Sequence, residues 1–154
     1  MPNETLQPEF VTTLRFAIGP GVVVGPTPLG FRALATVADG VVSGPLINGT
    51  VVGPSADWVI RDADGFSHID VRLQIATDDG AFIFVQYTGL LEQNDAVVAA
   101  MSDPSKETSF ADQYFRTTPR MECGDERYAW VNHTLFVARG RMLTDGVLYE
   151  VYRV

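Results

Sequence analysis

Short apolar runs alternate with turn residues along the whole chain. The runs are rich in Val, Ile, Phe, Thr and Tyr, and glycine or proline pairs separate them about every ten residues. This rhythm is typical of an all-β sandwich or barrel. Turns are predicted at Gly19-Pro20-Gly21, Asp39-Gly40, Asp64-Gly65, Asp79-Gly80 and Gly124-Asp125. Strands are predicted near 10–18, 31–38, 46–52, 57–62, 67–77, 81–89, 112–122, 127–138 and 147–153.

One short helix interrupts the strands. Asn94 can cap it, Asp95 suits its first turn, and the run Ala96–Met101 forms its body. Pro104 ends it, because proline cannot continue a helix.

Two predicted hairpins carry polar side chains on one face. A two-residue turn at Asp79-Gly80 pairs Arg72 with Tyr87 and Asp70 with Gly89. A turn at Gly124–Glu126 sets Glu122 opposite Tyr128, Arg120 opposite Trp130, Thr118 opposite Asn132 and Arg116 opposite Thr134. Because side chains alternate between faces, each hairpin also has an apolar face.

Two arrangements of these faces are possible. In the first, the apolar faces fill the interior and the polar faces meet water, which is the commoner design. In the second, the polar faces line a cavity. We favour the second, because exposed strands seldom carry Trp, Tyr, Asn and paired Arg together.

Composition restricts the class of protein. The 154 residues suit one domain, 1–154, and a net charge of −8 opposes binding to nucleic acid and to anionic membranes. The polar start, residues 1–5, lacks the features of a secretory signal, so we expect a cytoplasmic protein. His68 and His133 fall on opposite predicted faces, so we expect no metal site.

Several short blocks resemble, in this order and spacing, the small barrel family catalogued as domain of unknown function 3237. They are Gly25–Gly30, Ala56–Trp58, Asp70–Arg72, Thr77–Ala81, Tyr114–Arg120, Arg127–Asn132 and Val151-Tyr152. The resemblance implies a single antiparallel β-barrel of roughly eight to ten strands with one short helix. Such barrels are similar to those of allene oxide cyclase and dirigent proteins. The resemblance also implies a homo-oligomer and cofactor-free lyase or isomerase chemistry.

The candidate catalytic residues are acids and a phenol. Asp70 could act as a general base beside Arg72, or the two could form a plain ion pair. Asp57 could move a proton at the cavity mouth, or it could cap backbone amides in a turn. Tyr128 is the third candidate.

The candidate binding residues are cationic, aromatic and amide side chains. Arg72 and Arg120 could hold an anionic group, and Glu122 could orient Arg116 or Arg120 on its own strand. The remaining candidates, which could form the pocket wall, are Tyr87, Trp130 and Asn132. The alternative is a ladder of side chains that fixes the strand register.

The sequence thus predicts a cofactor-independent acid–base enzyme, without metal. Its reaction would be an isomerisation, a decarboxylation or other lyase step, or a cyclisation. The substrate would be a small aromatic carboxylic acid or carbonyl compound. The alternatives are a non-catalytic barrel that binds a small organic molecule and a purely structural or partner-binding barrel.

Overall fold

Eight long strands close into an antiparallel barrel in the computed structural model, which describes residues 5–154. The strands are β1 (Glu9–Thr27), β2 (Gly30–Ser43), β3 (Gly49–Asp57), β4 (Ile60–Arg61), β5 (Phe66–Thr77), β6 (Phe82–Glu92), β7 (Phe115–Cys123), β8 (Phe136–Met142) and β9 (Gly146–Arg153). Their order around the barrel is β1-β9-β8-β7-β6-β5-β3-β2, and the pairing of β2 with β1 closes the ring. The two-residue strand β4 joins β2 to β5. The all-β barrel prediction is confirmed.

The predicted helix is confirmed as α1 (Asp95–Ser102). The side chain of Asn94 accepts a hydrogen bond from the Val97 backbone N–H at 3.1 Å, which satisfies one of the free donors at the helix start. Val97 and Ala100 are buried against the barrel. Within residues 5–154, no helix has the length and apolar character needed to cross a membrane.

The apolar strand faces fill the barrel. In β5 the buried apolar residues are Ile69, Val71, Leu73 and Ile75, at every second position, while His68 and Arg72 point outward. Strand β7 alternates in the same way, with Arg120 and Glu122 exposed. The preference for polar faces around a cavity is therefore wrong. The apolar faces of both strands gain more by burial than their charged faces would.

The hairpin after β5 has a longer turn than predicted. Thr77 and Ala81 flank a three-residue loop that ends at Gly80, whose φ is +95°. The extra residue shifts the register by one, so Arg72 lies opposite Gln86 and not opposite Tyr87. Because a shift of one residue reverses a side chain's face, Tyr87 lies inside the barrel, opposite Val71.

The predicted strand 127–138 is wrong. Residues Glu126–His133 form a 3-10 helix, and β7 pairs instead with β8, where Arg116 lies opposite Arg139. Asp125 caps this helix by accepting the Arg127 backbone N–H at 3.0 Å. Its buried residues, Tyr128 and Val131, are three apart, as the 3-10 repeat requires.

Two predicted turns lie within continuous strands. Gly19–Gly21 and Asp39-Gly40 coincide with register shifts in β1 and β2. Glycine, and an Asp39 with φ of 50°, accommodate bulges there, so the chain bends without reversing.

Candidate active site

A cavity of about 260 Å³ opens inside one end of the barrel. Apolar side chains such as Phe16, Ile69 and Phe115 supply most of its wall. The polar side chains in the wall are Thr36, Asp57, Ser67, Gln93 and Tyr149, and the wall has no lysine or arginine. The cavity can therefore take a small, mainly apolar and uncharged molecule.

Asp57 points into this cavity from the last position of β3. It lies opposite Ala35 of β2 and Val71 of β5, and directly opposite residues share a face. Its Oδ1 accepts a hydrogen bond from the Asp70 backbone N–H at 3.0 Å. Within residues 5–154 the carboxylate makes no other hydrogen bond, so Oδ2 is free for a ligand.

Burial raises the pKa of Asp57 to about 6. The hydrogen bond from the Asp70 N–H opposes this rise, and the negative charge of Asp70 adds to it. Asp57 therefore exchanges its proton close to neutral pH, where one group can serve both as base and as acid.

Two phenols lie deep in the barrel beside Asp57. Tyr87 and Tyr149 pack edge to face with ring centroids 5.3 Å apart. Burial raises the pKa of both hydroxyls, and the charge of Asp57 raises them further, so both stay protonated as hydrogen-bond donors. The buried Tyr87 hydroxyl faces that of Tyr149, which also raises the pKa of Tyr87, and within residues 5–154 no partner meets it with full hydrogen-bond geometry.

Tyr149 is held rigidly. Its ring packs against Phe115 at 5.2 Å and Phe16 at 6.0 Å, in addition to Tyr87. A donor fixed by packing needs little reorganisation when charge develops on a bound oxygen. The arrangement can thus move a proton through Asp57 while a phenol stabilises an oxygen of the bound molecule.

Of the predicted site residues, the structure brings Asp57 and Tyr87 together inside the barrel. Glu122 and Asn132 line a separate open groove on the outer surface. Asp70 and Arg72 lie on the outer surface, with Arg72 Nη1 3.8 Å from Asp70 Oδ1 and its guanidinium over the Trp58 ring. Arg120 and Glu122 are also on the outside. Asp70 nevertheless touches the site, since its backbone N–H holds Asp57.

The other predicted residues hold the 3-10 helix in place. Tyr128 donates from its hydroxyl to the Asp79 carboxylate at 2.9 Å. Asn132 bonds both the N–H and the carbonyl of Cys123, at 2.8 and 2.9 Å. Trp130 lies under the Arg153 guanidinium, not opposite Arg120 as predicted. None of these three lines the cavity.

Tyr149, Ser67 and Gln93 line the cavity but were not among the predicted site residues. Tyr149 shares one strand face with the apolar residues Val147 and Val151, in a correctly predicted strand. A phenol on the apolar face of a strand is the pattern that could have revealed it. Gln93 follows β6 directly and had no comparable pattern.

The chain is similar in sequence and structure to several known proteins. The UPF0311 protein RPA1785 of Rhodopseudomonas palustris is 29% identical over 160 residues, 97% of each chain. Its crystal structure matches 98% of this chain and 99% of its own with a TM-score of 0.86. A beta-barrel like protein of Acinetobacter baumannii is 26% identical, with a TM-score of 0.80 over 99% of both chains.

One relative is an enzyme. The hydroalkoxylation enzyme phnH of Penicillium herquei is 32% identical over 99 residues, 64% of this chain and 63% of its own. The family described as "Protein of unknown function (DUF3237)" matches residues 6–154. The chain belongs to this family.

Proposed function

We propose that the protein is a cofactor-free acid–base enzyme acting on a small uncharged compound in the barrel cavity. The observation that carries this proposal is Asp57, a carboxyl group with a pKa of about 6 in an apolar cavity with a free Oδ2. Perturbed carboxyl groups in clefts are concentrated at catalytic sites. In this proposal Asp57 takes and returns the proton, and Tyr149 donates a hydrogen bond to a substrate oxygen.

The cavity favours some of the predicted reactions over others. A carboxylate substrate needs a cationic partner, and the cavity wall has no lysine or arginine. Decarboxylation of an aromatic acid is therefore disfavoured. Isomerisation or cyclisation of a carbonyl or hydroxyl compound needs only proton transfer, which Asp57 can supply.

Hydroalkoxylation is the candidate reaction that a relative supports. The enzyme phnH carries that activity in its name, and it is 32% identical over 99 residues. In such a reaction a hydroxyl oxygen bonds to one carbon of a C=C bond, and the hydroxyl proton ends on the other carbon. Asp57 accepts the hydroxyl proton and returns it to the other carbon of the former double bond, so no oxidant or reductant is needed.

The test compares Asp57→Asn with Asp70→Asn. The probe is 2-tetralone, an uncharged aromatic ketone, and ¹H NMR in D₂O measures deuterium uptake at its α-carbon. We expect Asp57→Asn to slow the exchange by about 10² to 10⁴-fold, as is typical when a general base is lost. Asp70→Asn keeps the backbone N–H that holds Asp57, so its rate should stay within a few-fold of wild type.

If Asp70→Asn slowed the deuterium exchange more than Asp57→Asn does, the assignment of Asp57 as the base would be contradicted. A wild-type protein that binds 2-tetralone and exchanges no proton would instead support the alternative of a non-catalytic binding barrel. The expected homo-oligomer stays a prediction.

A further inference from the structure

We propose that Ser67 and Gln93 form a second polar anchor in the cavity, so that the substrate is an elongated uncharged compound with a polar group at each end. This inference rests on the proposed function, because it takes Asp57 as the first anchor. It concerns binding and can be tested without turnover.

The two side chains form a fixed pair. Gln93 Nε2 donates a hydrogen bond to Ser67 Oγ at 2.8 Å. The backbone N–H of Gln93 also donates to the Gly65 carbonyl at 2.9 Å, which holds the segment after β6 in place. Ser67 is 4% exposed, so its hydroxyl lies in the wall and not in bulk solvent.

The pair lies at the other end of the cavity from Asp57. Ser67, Ile69 and Val71 face inward at successive alternate positions of β5, and Val71 lies opposite Asp57. The four residue steps from Ser67 to Val71 span about 13 Å of strand. The cavity wall between the two anchors includes the apolar side chain of Ile69.

The pair offers a donor and an acceptor side by side. Ser67 Oγ already accepts from Gln93, so its own proton is free to be donated. Gln93 Oε1 makes no side-chain hydrogen bond within residues 5–154 and can accept one. A hydroxyl group satisfies both at once. A carboxylate or phosphate does not, because it meets no positive charge in the cavity wall.

Two ligands that differ in one hydroxyl test the second anchor. The probes are 2-naphthol and 2,6-dihydroxynaphthalene, with Kd measured by isothermal titration calorimetry. We expect wild type to bind the dihydroxy compound roughly tenfold more tightly, the value of one added hydrogen bond. Ser67→Ala and Gln93→Met should each bring the Kd ratio close to one.

Thr36→Val is the matched control. Thr36 also lines the cavity, but its hydroxyl donates to the Pro20 carbonyl at 2.7 Å, so the Kd ratio should persist. The ratio should persist in Asp57→Asn as well, which separates this inference from the catalytic proposal. Equal affinity of wild type for both probes, no binding of either, or a preference that survives in Ser67→Ala and Gln93→Met would overturn the second anchor.

Discussion

At the scale of single residues, Asp57 is a carboxyl group placed where its charge is unfavourable. Burial raises its pKa to about 6, and one backbone N–H from Asp70 compensates only in part. A group held at a cost to stability is typical of functional sites. Sequence alone could name Asp57 and Tyr87 as candidates. It could not predict that the two lie close together inside the barrel, because the face of Tyr87 depends on the β5–β6 register, which one loop residue decides.

Replacement of Asp57 should stabilise the protein in a pH-dependent way. Between pH 4 and 6 the folded state keeps a proton on Asp57 that the unfolded state releases, so this group's contribution to stability falls as pH rises and is fully lost above pH 6. Asp57→Asn should therefore be more stable than wild type at pH 8, by about 1 to 3 kcal/mol.

Urea unfolding of both proteins at pH 8 and pH 4 measures this difference. The gain should disappear near pH 4, because wild-type Asp57 is then protonated and uncharged in the folded state. An Asp57→Asn variant that is less stable than wild type at pH 8 would show that the carboxylate is not destabilised by burial.

At the scale of elements, local chemistry predicted the strands and the helix better than their pairing. Asn94 caps α1 as expected, and the period of two in β5 and β7 is visible in the sequence. The 3-10 helix was missed because Tyr128, Trp130 and Val131 are residue types that favour strands, and Asp125 was not recognised as its cap. The register after β5 was missed because a three-residue loop and a two-residue turn both use Asp-Gly.

The three-residue loop can be tested through its glycine. Gly80 has a φ of +95° with no atom within 4 Å of an added Cβ, so Gly80→Ala should cost about 1 kcal/mol from backbone strain alone. Gly124→Ala is the control, because that site is equally open and its φ is not positive. Chemical denaturation measures both. Equal stability of the two variants would contradict the left-handed backbone conformation of Gly80.

At the scale of the whole molecule, closure of the barrel gives the site its properties. The ring of eight strands buries the apolar faces and leaves the charged residues of β5 and β7 outside, so a charge such as that of Asp57 is poorly solvated in the interior. The cavity at one end lets a small molecule reach Asp57 without exposing the rest of the core. The same closure explains why the charged hairpin faces, which first suggested a binding wall, lie on the outer surface.

The pKa of Asp57 tests the central claim most directly, since it requires neither a substrate nor a partner. A ¹³C NMR titration of the aspartate carboxyl carbons, with Asp57→Asn used to assign the signal, measures it in the intact protein. The structure predicts a midpoint of about 6 for Asp57. A midpoint near the ordinary aspartate value of about 3.9 would show that the carboxyl is not set up for proton transfer near neutral pH, and would contradict the proposed function.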